Sequence, residues 1–145
     1  MIKLYVGSGE KTKEGYISVD IKDFGTNTVH DMRKGYSLWK DKMIEAVWAE
    51  NFLEHLDNAE AIEFLNNTWE VLKETDGELY VDVPSIIREG AYSLPHKTFY
   101  TERTFRELEK SDQYVYGIKN WKIRRILTND KGNIHCWLKP VDQIK

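Results

Sequence analysis

The residues in this 145-residue chain best equipped for chemistry are the turn Gly7-Ser8-Gly9, the carboxylate of Asp20 and the imidazoles of His55 and His96. The turn closes an alternating apolar run, Ile2-Lys3-Leu4-Tyr5-Val6. Glycines at the carboxyl end of a first strand let the backbone turn sharply, and a ligand can approach without meeting a Cβ. The alternative is a plain turn. Asp20 sits near the end of a second strand-like run, between Val19 and Ile21. A carboxylate there can accept from both hydroxyls of a ribose; the alternative is a solvated strand-end aspartate. The glycines do not complete G-x-G-x-x-G, because position 12 is Thr, and no helix start follows to hold a pyrophosphate. Dinucleotide binding is therefore disfavoured.

His96 lies in a loop beside Pro95 and Lys97, near Tyr92 and Tyr100. Imidazole titrates near neutral pH, so a histidine there could take a proton from an acceptor substrate; alternatively its ring N–H anchors the loop. His30 and His135 fall within strand patterns and read as packed or surface residues. No group of His, Cys and carboxylate residues has metal-ligand spacing, so no metal site is expected.

The elements that must position these residues follow from periodicity. Alternation predicts strands over 2–6, 16–21, 26–30, 44–49, 78–83, 121–128 and 133–138. Helical spacing of Ile62, Leu65, Trp69 and Leu72 predicts a helix over 57–74, with Asp57 as N-cap and Glu60 in its first turn. A second helix is predicted over 101–110, facing inward through Phe105 and Leu108. Asn129-Asp130-Lys131-Gly132 has hairpin composition and makes at least one strand antiparallel. Pro84 should end its strand. The order β-β-β-β-α-β-α-β-β, with a glycine turn after the first strand and an acid ending the second, predicts a doubly wound, mostly parallel α/β sheet.

These stretches together resemble a small class I S-adenosylmethionine-dependent methyltransferase of the type-11-like group. The resemblance runs through Lys3 to Gly9, Gly15 to Ile21, Val29-His30-Asp31-Met32, Glu45 to Leu56, Trp69 through Pro84, and His96 to Thr101. It covers most of the chain in family order. It implies a Rossmann-like sheet of about seven strands with an antiparallel end, binding S-adenosylmethionine and releasing S-adenosylhomocysteine. Gly7, Ser8 and Gly9 would then line the methionine and ribose, Asp20 would hold the ribose hydroxyls, and Ile21 would lie on the adenine. Asp31 with Met32 would meet the adenine edge. Glu50, Asn51 and Phe52 would stand beside the methionine part and the transferring methyl, with His96 at the mouth where an acceptor enters. Leu53-Glu54-His55-Leu56 is a helix-starting signature of the family, which favours a structural or cofactor-proximal role for His55. The chain departs from the wider pattern at Tyr5, where an acid is usual, and at Lys11, where a third glycine is usual. Too few residues separate Gly9 from Tyr16 for the usual first helix, so that helix is reduced or absent and one sheet face needs other cover. Exposed aromatics or a homodimer would supply it. A non-catalytic subunit that keeps the fold and the cofactor pocket is the alternative function.

Composition bounds the rest. A 145-residue chain with 41% hydrophobic and 31% charged residues is globular, and residues 1–145 are expected to form a single domain. No apolar run approaches the roughly 20 residues that span a bilayer. One cysteine, Cys136, excludes an internal disulfide; a reducing, cytoplasmic setting is expected. Residues 1–90 carry 10 basic and 18 acidic side chains, against 11 basic and 6 acidic in residues 91–145. The acidic part coincides with the cofactor half and the basic part with the acceptor side. That split favours a small-molecule or anionic acceptor; nucleic acid has no binding motif in its support. Arg124 and Arg125 are adjacent in a predicted strand, so alternation places them on opposite faces.

Overall fold

The alternating apolar positions of all seven predicted strands land in one sheet. The computed structural model describes residues 1–144. Its strands are β1 (Ile2–Val6), β2 (Ile17–Asp20), β3 (Thr28–Val29), β4 (Ile44–Glu50), β5 (Glu78–Pro84), β6 (Trp121–Thr128) and β7 (Asn133–Pro140), with helices α1 (Asn58–Lys73) and α2 (Glu102–Arg106). The sheet order is β3-β2-β1-β4-β5-β7-β6. Strands β1 to β5 pair in parallel, and β7 runs antiparallel between β5 and β6. The predicted class therefore holds: a Rossmann-like, mostly parallel sheet with an antiparallel end. Strand β5 ends at Pro84 as expected, with Pro84 in the last ladder position, opposite Asn133. The second helix is shorter than predicted and passes into a 3-10 turn at Glu107–Glu109.

Helix α1 begins as its sequence dictates. The Asp57 carboxylate accepts from the Glu60 N–H at 2.8 Å, and Glu60 Oε1 accepts from the Asp57 N–H at 3.0 Å. This reciprocal pair satisfies two of the free donors of the first turn. Asp57→Ala is expected to cost about 1 kcal/mol, read as a lower urea midpoint with an unchanged slope. Phe64, Leu65 and Leu72 of α1 and Phe105 of α2 join Leu4, Val6, Val47, Val81, Ile134 and Leu138 in one core. Both helices thus cover the same sheet face.

No helix lies between β1 and β2, and the other face carries a row of rings instead. Tyr5, Trp48, Tyr80 and Trp137 stand opposite one another on β1, β4, β5 and β7. Trp48 stacks on Tyr80 with ring centroids 3.7 Å apart, and Tyr80 meets Trp137 at 4.9 Å. The Lys13 ammonium caps the free side of Trp48, 4.0 Å from the ring centroid. Tyr5 and Tyr80 are only 3% and 6% exposed in the single chain, while Trp48 and Trp137 are half-buried.

A bulge in β6 overturns the expectation for the arginine pair. Ile123 pairs with Leu138 but Arg125 pairs with Trp137, so Arg124 is the extra residue. The extra residue cancels the alternation. Both guanidinium groups consequently lie over the Trp137 ring, at 5.9 and 5.3 Å, on the same face.

Candidate functional site

From β1 the sheet grows one way through β2 and the other way through β4. At such a reversal the loops leaving the carboxyl ends diverge and open a crevice. A cavity of about 330 Å³ lies there, lined from the ends of β1 to β4 and the turns that follow them. Its floor is Gly7, at φ 63°, where a Cβ would come within 2.6 Å of the Phe52 ring. Only glycine lets Phe52 close over that point. Asn51 also takes a left-handed conformation (φ 52°), and its N–H donates to the Asp82 carbonyl at 2.8 Å. This turn swings Asn51 and Phe52 off β4 into the cavity wall.

Asp20 lines the cavity with both oxygens partly engaged. Oδ2 accepts from the Gly9 N–H at 2.9 Å and Oδ1 from the Lys22 N–H at 3.0 Å. These bonds fix the carboxylate, and each oxygen keeps capacity to accept once more. Ile21 and Met32 supply apolar lining. Asp31 caps the short turn Met32–Lys34 and is gripped by Arg33, with Nη2 2.8 Å from Oδ2 and Nε 3.0 Å from Oδ1. Hydrogen bonding from the guanidinium holds the Asp31 carboxyl below its ordinary pKa. Arg33 reaches on to Glu60 at the start of α1, 3.3 Å away.

Of the residues singled out in the sequence, Gly7, Asp20, Ile21, Asp31, Met32, Asn51 and Phe52 line this cavity. Ser8, Gly9 and Glu50 are not among its lining residues. Ser8 is buried, with its hydroxyl 3.4 Å from the Val19 carbonyl, and Gly9 acts by steadying Asp20. Glu50 stays on the ring-bearing face, held by the Tyr5 hydroxyl and Trp48 Nε1 at 3.2 Å and by Lys11 at 3.3 Å. Burial pushes its carboxyl up, but these three donors outweigh burial and keep its pKa below the ordinary value. Arg33, His30, His55 and Leu56 also line the cavity. His30 is tied by Nε2 to the Gly35 carbonyl at 2.9 Å.

Beside this wall the chain gathers a second polar group. His55 and His96 meet edge to face with centroids 4.8 Å apart, next to Glu54. His96 is not a lining residue of the cavity; its Nδ1 lies 3.0 Å from the Ala91 carbonyl. A carbonyl only accepts, so Nδ1 carries the hydrogen, and in the neutral ring Nε2 has the lone pair. Burial pushes the Glu54 carboxyl up to about 7. Burial, then the neighbouring His96, lower the pKa of His55.

The basic residues of the second part of the chain do not gather around the cavity. Arg103 pairs with Glu107, Arg106 with Glu102, Lys119 with Glu70 and Arg124 with Glu78. Arg124 and Arg125 sit on β6, the sheet edge opposite β3. Among the described residues no helix is long and apolar enough to cross a membrane.

No family model matches the chain, and no curated protein matches its sequence. Solved structures do match in shape. The N-methyltransferase NodS from Bradyrhizobium japonicum WM9, solved with S-adenosyl-L-homocysteine, superimposes with a TM-score of 0.63 at 10% identity, over 97% of this chain and 78% of NodS. The methyltransferase domain of bacterial CtHen1 gives 0.61 at 12% identity, over 95% of this chain and 89% of that one. The fold is that of a class I methyltransferase. The pyocyanin biosynthetic protein PhzM matches it as well, with a TM-score of 0.62 at 13% identity over 96% of this chain. This chain spans 50% of PhzM. The class I methyltransferase fold is thus present here with two α-helices among the described residues and a self-stacked row of rings on its second face.

Proposed function

We propose that this chain is an S-adenosylmethionine-dependent methyltransferase whose cofactor occupies the cavity between the ends of β1, β2 and β4. The observation that carries this reading is Asp20. Its two oxygens are pinned by separate backbone N–H groups, so two acceptors are presented side by side, as two adjacent ribose hydroxyls require. Gly7 lets the cofactor approach the backbone, Ile21 and Met32 offer apolar surface to the adenine, and Asp31 can accept from its exocyclic amine. Asn51 and Phe52 would flank the methionine portion. When bound, the cofactor supplies a methyl group on a positively charged sulfur. The chain's contribution is to hold that methyl in line with an acceptor atom and keep water away from it.

On this reading residues 1–90 form the cofactor half, while residues 91–145 bring the acceptor side. The loop carrying His96 supports this division, because it is bonded directly to the segment after β4: the Lys97 N–H donates to the Glu54 carbonyl at 2.7 Å. His96, with a lone pair on Nε2, is the side chain we assign to accept the acceptor's proton. The order of the sequence motifs supports the type-11-like group. A single buried, free cysteine, Cys136, fits a reducing cytoplasm.

Calorimetry with S-adenosylhomocysteine and S-adenosylmethionine tests the reading, followed by transfer of labelled methyl to a panel of small molecules and oligonucleotides. One molecule bound per chain and methyl transfer to one class of acceptor are expected. Absence of cofactor binding by the wild-type chain would sink it. Binding without transfer to any acceptor would replace it with a non-catalytic cofactor-binding subunit. Because so many of the basic side chains are paired, oligonucleotide binding is expected to depend only weakly on salt.

A further inference from the structure

Two distant segments bring a carboxylate and two imidazoles to one point. Glu54 and His55 come from the 3-10 turn Leu53–His55 that follows β4, and His96 from the loop after β5. The junction is held by backbone and hydroxyl bonds: the Lys97 and Thr98 N–H groups donate to the Glu54 carbonyl at 2.7 and 3.3 Å, and the Thr98 hydroxyl to the Leu53 carbonyl at 3.1 Å. One carboxylate oxygen of Glu54 and one ring nitrogen from each histidine lie within 4.8 Å of one another.

Two further observations say what this point lacks. Glu54 is 1% exposed, and its Oε1 has no hydrogen-bond partner. A buried carboxylate oxygen with no donor is costly unless it takes up a proton or a positive charge meets it. The His96 ring is held through Nδ1 by the Ala91 carbonyl, which turns its other nitrogen into an oriented acceptor. Metal-bound histidines are oriented in just this way, by a backbone carbonyl on the nitrogen that does not bind.

We propose that Glu54, His55 and His96 form a binding site for one first-row divalent cation, of the Zn²⁺ or Co²⁺ kind. A carboxylate with two imidazoles is a three-ligand set that leaves a fourth position open. The nitrogen donors select such ions over Mg²⁺ and Ca²⁺, which prefer all-oxygen sites. Tetrahedral binding asks for ligand atoms about 3.4 Å apart, so rotation of the side chains must draw the three together by as much as about 1.4 Å. His55 also lines the proposed cofactor cavity, so the site adjoins that wall, and its open position would take water or an oxygen of a bound molecule. The cation would use the lone pair that His96 otherwise offers to a proton. This site reaches beyond the methyltransferase reading and stands without it.

The test uses chelator-treated full-length chain, free of any purification tag, with Co²⁺, Zn²⁺ and Mg²⁺ salts alone. Expected are one Co²⁺ per chain with visible absorption bands of a low-symmetry site, displacement by Zn²⁺ and none by Mg²⁺. His55→Asn and His96→Asn should each weaken binding at least tenfold, and the double variant should abolish the bands. Glu54→Gln should do the same. Should that buried substitution fail to fold by circular dichroism, the two histidine variants decide, since neither ring is fully buried. Wild-type binding no tighter than that of the double variant would overturn the site, as would bands that survive in the double variant. Calorimetry with S-adenosylhomocysteine on the same samples keeps the two readings apart, because a cation can bind whether or not the cofactor does.

Discussion

Asp20→Ala is expected to weaken binding of S-adenosylhomocysteine by about 100-fold or more, measured by calorimetry at constant pH. A hydrogen bond to a charged group contributes about 1.5–3 kcal/mol, and the carboxylate would make two to the ribose. Even the lower value for both bonds reaches about 3 kcal/mol, or two orders of magnitude in affinity. The substitution also releases the Gly9 and Lys22 N–H groups that the carboxylate holds at 2.9 and 3.0 Å, loosening the glycine turn beneath the ligand. Asp20→Asn should fall between wild type and alanine. Its amide keeps one acceptor oxygen but loses the charge: an NH₂ turned toward a backbone N–H sets donor against donor, and one turned toward a ribose hydroxyl can only donate to it, which removes an acceptor from that pair. Equal affinity in wild type and Asp20→Ala would mean that the ribose is held elsewhere and that this cavity is not the cofactor site.

The place of Asp20 at the cavity was legible in the sequence because alternation and a following turn mark where a parallel strand stops, and ligands gather at those ends. Asp31 came instead from the family resemblance, and it lies past the end of β3 as the cap of a short turn. The cap of α1 was legible for a similar local reason: Asp57 and Glu60 satisfy each other across one turn. Glu50 is kept out of the cavity lining by one residue of alternation. Ala49 points into the core, so Glu50 must face the other way until Asn51 breaks the strand. That parity could have been read from Val47 and Ala49. Arg33 enters the cavity wall only through the tight turn begun by Asp31, and its guanidinium is placed by Asp31 and Glu60 together. The bulge that gathers Arg124 and Arg125 has no sequence signal, since it exists only in the pairing with Trp137. The Glu54, His55 and His96 cluster has no spacing signal in the sequence, because its members do not share one short motif. Its third member arrives from a loop whose course is set by backbone bonds to Glu54 itself.

The ring-bearing face yields the other large expected effect: Trp48→Ala should cost about 2–3 kcal/mol and lower the melting temperature by roughly 5–10 °C. Removing a tryptophan from a closed core costs about 3–5 kcal/mol. Trp48 is half-buried, so part of that loss is spared, but it is the centre of its row. It stacks on Tyr80 at 3.7 Å, meets Tyr16 edge-on at 6.2 Å, is covered by Lys13, and donates from Nε1 to Glu50. Its loss leaves one face of Tyr80 against water and removes a donor that keeps Glu50 ionised. Trp48→Phe should recover most of the stability, because the stacked ring returns while only the N–H is lost. Cofactor binding should change little in either variant, since Trp48 is not a lining residue of the cavity. The protein concentration used in the melt separates two ways of closing this face. Rings that bury one another within the chain give a melting temperature independent of concentration. Closure by a second copy would make it rise with concentration, and Trp48→Ala would then abolish that rise. The 3% and 6% exposures of Tyr5 and Tyr80 in a single chain favour the first outcome.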